Sequence, residues 1–300
     1  MKKTVIATIL FTFFSIAFSQ TASAVISDYF VETSWLARNL DQVKVVDVRT
    51  TPKYLLGHVD GALHINKDEF LSFRHGVKSL VPTVEEFQRL LAHYGITPET
   101  LVVVYAEDTN PYSARLAWTL KYHGHVKAYV LNGGYEKWAK EGRPVSFFPT
   151  RPAPVKKYVI SGQEPIRAKA DEVLTRLNNP DTVIWDVRSL GEYEGTDVRA
   201  DRGGHIPGAI HLNWTDLLHE EDGINVLKPA SELKVLLAAH GITPDRKIIA
   251  HCQTGIRSAY ASLVLMALGY PEVQNYDGSW IEWANNEEFP VATKRASSTL

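Results

Sequence analysis

The chain has 300 residues, with 32 basic against 34 acidic side chains, a net charge of −2, and a hydrophobic fraction of 45% that includes seven tryptophans. This near-neutral balance excludes the electrostatic footprint of a nucleic-acid binder and favours small-molecule partners. The apolar content is ample for a packed core, and at about 150 residues per domain the length predicts two domains.

Residues 1–24 read as a secretory signal peptide, with Lys2-Lys3, an apolar run from Val5 to Phe18, and a small-residue cleavage site at Ala22-Ser23-Ala24. The run is shorter than the roughly 20 residues a spanning helix needs. The expectation is cleavage after Ala24 and export to a bacterial periplasm, with no stable membrane anchor left. A single cysteine, Cys252, forbids an intramolecular disulfide, so the exported fold is not disulfide-stapled.

The mature chain then runs through β-rich segments at Val43 to Val48, Leu101 to Tyr105 and Ala128 to Leu131, with an amphipathic helix predicted at Val84 to Tyr94. From Arg143 to Pro165 five prolines and no apolar periodicity mark a stiff, extended connection. Strand segments return at Val183 to Val187, Lys247 to Ala250 and Val273 to Tyr276, and amphipathic helices at Ser231 to His240 and Ser258 to Leu268. Alternating strands and helices predict an α/β fold whose mostly parallel sheets are covered by helices on both faces.

The two halves repeat each other. Val45-Val46-Asp47-Val48-Arg49 recurs as Ile184-Trp185-Asp186-Val187-Arg188, Gly57-His58 to Asn66 as Gly204-His205 to Asn213, and Gly133 to Trp138 as Gly278 to Trp283. The predicted organisation is residues 25–147 as domain 1, 148–165 as linker, 166–292 as domain 2 and 293–300 as tail.

Cys252 opens the loop Cys252-Gln253-Thr254-Gly255-Ile256-Arg257-Ser258 between a strand and a helix. Such a loop aims backbone N–H groups and the positive end of the helix dipole at its mouth, which stabilises a thiolate, the nucleophilic form of cysteine. Arg257 supplies a cation, Gly255 a turn without a Cβ clash, and Ser258 an N-cap. Counting back from Ser113-Ala114, matched to Ser258-Ala259, places Glu107 opposite Cys252, Asn110 opposite Gly255 and Tyr112 opposite Arg257. Domain 1 is therefore read as silent. Features kept in both copies, the pairs Asp47 and Asp186, Arg49 and Arg188, His58 and His205, are read as fold-making, with Arg188 also a candidate for the substrate. His123-Gly124-His125 is read as a solvated turn rather than a metal site.

The Asp-Val-Arg strand end, the Gly-His-Ile-Pro-Gly-Ala-Ile turn, the Cys-x-x-Gly-x-Arg loop and the late Gly-x-x-x-x-Trp together resemble the rhodanese family, in its tandem-domain form, from about Val25 to Val291. That resemblance implies transfer of the outer sulfur of thiosulfate to cyanide or a thiol through a persulfide on Cys252, without metal or organic cofactor. It also implies a binding loop of Gln253, Thr254, Gly255, Ile256, Arg257 and Ser258, in which the cationic side chain favours thiosulfate over 3-mercaptopyruvate. Glu192 departs from the pattern: many tandem members carry a basic residue there, and an acidic one would repel a dianion.

Two other classes compete. A persulfide carrier or sensor would hand its sulfur to a protein partner. A cysteine phosphatase also uses a cysteine–arginine cradle, but here only four residues separate Cys252 from Arg257, one fewer than a phosphate cradle needs, and Asp245 is the one nearby candidate for a general acid.

Overall fold

A computed structural model describes residues 28–293; the signal-peptide segment and residues 294–300 lie outside the described residues. Among the described residues no helix is long and apolar enough to cross a membrane. The first half runs β1 (Phe30–Val31), α1 (Thr33–Asn39), β2 (Lys44–Asp47), α2 (Thr51–Leu55), β3 (His58–Val59), β4 (Leu63–His64), β5 (Ser72–Arg74), β6 (Val77–Leu80), α3 (Val84–His93), β7 (Val102–Tyr105), α4 (Tyr112–Tyr122), β8 (Ala128–Leu131), α5 (Gly134–Lys140) and β9 (Val145–Ser146). The second runs β10 (Arg167–Ala168), α6 (Ala170–Thr175), β11 (Thr182–Asp186), α7 (Leu190–Glu194), β12 (Ile210–His211), β13 (Leu218–Glu221), β14 (Ile224–Leu227), α8 (Ala230–Ala239), β15 (Lys247–His251), α9 (Arg257–Ala267), β16 (Val273–Tyr276) and α10 (Ser279–Ala284).

Each half builds one five-stranded sheet, ordered β1-β8-β7-β2-β4 and β10-β16-β15-β11-β12. Every pairing within them is parallel. Identical strand order in both halves is the structural form of the repeat. The central strands carry unbroken apolar runs, as in Val102-Val103-Val104-Tyr105, because helices cover both faces of the sheet. Where one face of a helix meets water the pattern alternates instead: α3 buries Phe87 and Leu91, and its start is fixed by a capping box between Thr83 and Glu86.

Helix α9 is not amphipathic as the sequence predicts. All but two of its residues, Arg257 and Met266, are buried, because α4 of the other half packs along it. One hydrophobic cluster accordingly includes Val46 and Trp118 from the first half and Trp185 and Leu263 from the second, with Phe30 meeting Tyr260 edge-on at 5.5 Å. The halves also exchange antiparallel hairpins. Past β5/β6, Val81 N donates to Asp277 Oδ2 at 3.0 Å; from β13/β14, Leu227 N donates to Asn132 Oδ1 at 2.9 Å.

The connection from 148 to 165 forms no helix or strand, as its prolines dictate, but it is not free. Val155 N, Ile160 N and Glu164 N donate to Ala92 O, Gln88 Oε1 and Tyr122 O, which straps it along the first domain. Its Tyr158 is buried, with its hydroxyl 2.9 Å from His125 Nδ1. The turn at His123-Gly124-His125 is thus a correction: both histidines are buried rather than solvated, and burial holds each near a pKa of about 4, so both are neutral.

Candidate active site

Cys252 follows directly on β15, at the carboxyl end of a central strand, where open parallel sheets place their ligands. In register, His251 lies beside Asp186 as Tyr105 lies beside Asp47. The strand count therefore makes Ala106, not Glu107, the counterpart of Cys252. Backbone bonds agree: Ala106 O accepts from Tyr135 N and Cys252 O from Trp280 N, each at 2.9 Å. The loop of domain 1 is one residue longer, so counting from the helix and counting from the strand differ by one.

What fills the longer loop is a charge pair. Glu107 bonds Lys53 at 2.6 Å and Asn110 at 2.7 Å. Lys53 and Glu192 stand six residues after Asp47 and Asp186 respectively, and in domain 2 Glu192 grips Arg257 in two parallel bonds of 2.7 and 2.8 Å. The polarity of the pair is reversed between the copies.

The Cys252 residue is only 1% exposed. Burial alone pushes a thiol up, but the Arg257 charge, the Ser258 hydroxyl and the backbone N–H groups of Ser258 and Thr254 outweigh it, and the pKa falls below the ordinary thiol value. The thiolate form is thereby favoured beneath the surface. Cys252 N donates to Ser279 Oγ at 3.1 Å, and that hydroxyl donates to Tyr276 O at 2.7 Å. Ser279 holds φ 52°, where its counterpart in domain 1 is Gly134 at φ 58°. A serine strained into the left-handed region, with its side chain bonded to the nucleophile's own amide, marks a position where geometry outweighs backbone cost.

Ser258 is not the N-cap; Ile256 occupies that position, and Ser258 sits in the first turn of α9. Its buried hydroxyl donates to Asn275 Oδ1 at 2.6 Å and lies 3.5 Å from Cys252 Sγ, and Asn275 Nδ2 donates to Gly255 O at 3.0 Å. Gln253 turns its side chain away, its Nε2 donating to Arg199 O at 2.8 Å, while Thr254 and Arg257 are partly exposed at the mouth and Ile256 is buried. Burial opposes the charge on Arg257, but Glu192 and the cysteine sulfur outweigh it and hold the guanidinium firmly cationic. Burial raises the Glu192 pKa, yet Arg257 and Ser189 bring it down to about 2. Glu192 therefore neutralises part of the loop's cation instead of standing free against an anion.

Arg188, a sequence candidate for substrate binding, is spent within the fold. It is 1% exposed, bonds Asp186 at 2.6 Å and Gly204 O at 2.7 Å, and stacks 4.5 Å from the Trp280 ring. Arg49 repeats this with Asp47, Gly57 O and the Tyr135 ring. Both arginines tie the strand end to the following turn, as do the stacks of His58 on Tyr54 and His205 on Tyr193. Asp245 lies two residues before β15 and Cys252 directly after it, so the two stand at opposite ends of a five-residue strand that spans about 17 Å. A phosphatase general acid is therefore missing from that position, and both guanidinium nitrogens of the Arg257 fork are engaged by Glu192.

Reasoning from sequence missed Ser279, Asn275, Asp277 and Arg115. Ser279 was legible as the serine in the place of Gly134; the others sit on different elements with no spacing to betray them.

A family model described as the rhodanese-like domain matches residues 32–141 and again 169–286. The chain is 36% identical to the thiosulfate sulfurtransferase of Azotobacter vinelandii over 82% of its own length and 90% of that protein's. It is 35% identical to the sulfur carrier protein TtuD of Thermus thermophilus over 87% and 95% of the respective chains. Among solved structures, an anaerobic ergothioneine biosynthesis enzyme from Chlorobium limicola superimposes with a TM-score of 0.80 at 25% identity, covering 89% of this chain and 71% of that one. With the duplicated sheet, the loop that follows β15 and these two domain matches, the chain belongs to the rhodanese family.

Proposed function

We propose that this protein is a thiosulfate sulfurtransferase acting through a persulfide on Cys252. The observation that carries the reading is a buried thiol with a lowered pKa, ringed by the N–H groups of Thr254 and Ser258 and by Arg257. The thiolate attacks the outer sulfur of thiosulfate, the S–S bond of the donor breaks, and sulfite leaves with the electron pair. Cys252 then carries a persulfide whose terminal negative charge rests in the same cradle. Cyanide or an acceptor thiolate attacks that terminal sulfur and the Cys252 thiolate returns as leaving group, so the cycle is ping-pong and needs no external oxidant. A thiosulfate sulfurtransferase at 33% identity over 87% of this chain, from Pseudomonas aeruginosa, supports the donor. A structure of EanB with a cysteine persulfide, at a TM-score of 0.80 and 26% identity, supports the intermediate.

The likeness to TtuD, called a sulfur carrier, favours a second reading in which the persulfide passes to a protein. Export of the mature chain, read from residues 1–24, belongs to the same proposal and places this chemistry in the periplasm. The discriminating assay compares donors and acceptors. With cyanide as acceptor, thiosulfate is expected to give a kcat/KM at least about tenfold above that of 3-mercaptopyruvate, over many turnovers. A reversed preference would assign the mercaptopyruvate activity, and a single turnover followed by arrest would assign the carrier.

Glu192 sets the strength of donor binding in this scheme. Because its carboxylate stays charged down to about pH 2, Glu192→Gln removes one negative charge beside Arg257 at neutral pH. The KM for thiosulfate is expected to drop roughly threefold or more, with kcat little altered, and the drop should shrink with added salt. An unchanged or higher KM at low salt would remove Glu192 from donor recognition.

A further inference from the structure

Arg115 belongs to α4 of the domain that has no nucleophile, yet it ends in the catalytic loop. The side chain is wholly buried; Nη1 donates to Gly255 O at 3.0 Å, and Nη2 to Asp277 Oδ1 at 2.6 Å and to Ser79 O at 2.7 Å. Asp277 is likewise buried, and its other oxygen accepts from Val81 N and from Arg167 Nε at 3.1 Å. The Gly255 carbonyl is thus gripped twice, by Arg115 across the domain boundary and by Asn275 from within.

The repeat supplies the contrast. The positions matching Arg115 and Asp277 in the other copy are Tyr260 and Asn132, by the same offset that matches Ser113 to Ser258. Tyr260 packs edge-on against Phe30 and Trp214, and Asn132 bonds Glu32 and the Leu227 amide. The buried arginine–aspartate pair is therefore built on the side that carries the cysteine, while neutral residues stand on the side that faces the silent loop.

A peptide unit is planar and trans, so a carbonyl pinned one way turns the next N–H the opposite way. Gripping Gly255 O fixes the N–H of Ile256 on the far side of that peptide. Gly255 sits at φ 75°, and a glycine is the residue whose flanking peptides flip most easily. A flip would bring an acceptor oxygen to a loop whose task is to present donors to a sulfur anion.

We propose that Arg115 is a positioning residue for Cys252: it locks the Gly255–Ile256 peptide against flipping, so that the domain without a nucleophile completes the sulfur-binding loop of its neighbour. This deepens the persulfide reading and rests on it.

The test uses Cys252 as the sole thiol of the full chain and follows its alkylation by iodoacetamide against pH, alongside sulfur transfer. Arg115→Met is expected to move the alkylation midpoint up by about one pH unit and to lower kcat/KM for thiosulfate about tenfold or more. Arg115→Lys keeps the charge against Asp277 but loses the fork to Gly255, and should show the same shift; it decides alone if Arg115→Met does not fold. Asn132→Ala loosens the other hairpin contact and should lower thermal stability without moving the midpoint. An unshifted midpoint in Arg115→Lys, or an equal shift in Asn132→Ala, overturns the assignment. Because alkylation reads the thiol without any donor, a shifted midpoint in a chain that transfers no sulfur from thiosulfate would count against the donor reading and leave Arg115 in place.

Discussion

Cys252→Ser is expected to abolish sulfur transfer, lowering turnover by about a thousandfold or more, while leaving the fold intact. Serine fits the space of the thiol, keeps the backbone bonds to Ser279 and Trp280, and differs chiefly in having a hydroxyl that the cradle cannot ionise near neutral pH. Incubated with thiosulfate, the parent chain should gain the mass of one sulfur and the serine variant none. Cyanide should then discharge the labelled parent. A serine variant that still gains sulfur would place the intermediate elsewhere and sink the mechanism. A labelled parent that cyanide fails to discharge would keep the persulfide but move the acceptor to another class.

Gly255→Ala is expected to be nearly as damaging although it touches no reacting atom. A Cβ there would stand 2.5 Å from Asp277 O and 3.1 Å from Arg115 Nη1, and φ 75° already disfavours any side chain. Neither neighbour can give way: Asp277 lies between β16 and α10, and Arg115 is buried and bonded three ways. The expected loss is about 2 kcal/mol of stability and roughly a hundredfold in kcat/KM, since the loop must shift relative to the sulfur. Gly208 provides the control. It has φ 78° and nothing within 4 Å of an added Cβ, so Gly208→Ala should cost only about 1 kcal/mol and leave transfer unchanged. Equal activity losses in the two variants would show that backbone strain alone, and not contact with Asp277 and Arg115, governs the loop.

The duplicated architecture was legible because apolar runs such as Val102 to Tyr105 and repeated turns such as Gly204-His205 are local signals. The cysteine loop was legible for the same reason, its strand, glycine, arginine and helix being consecutive. Three features were not, and each depends on groups distant in sequence. Helix α9 looked amphipathic until α4 covered its second face. Ser258 looked like a cap because caps are local, whereas its partner Asn275 comes from β16. Glu192 looked repulsive because its bidentate partner is 65 residues away. The charge reversal between Lys53 and Glu192 was written in the repeat, but their partners Glu107 and Arg257 are not matched positions, so the pairs themselves appear only in the fold.

The hairpin exchange makes the two halves depend on each other to fold. Each half lends its neighbour a strand end, and the apolar cluster does not stop at the boundary between them. Neither half is then a spare. The half without a cysteine still imposes shape on the half that carries it, because contacts made from each side hold the other in place. Asp108, on the loop of the first half, is a docking point for Asn225, accepting from both its backbone and side-chain nitrogens. The loop without a nucleophile serves as an attachment point, and the two halves stand or fall as one folding unit.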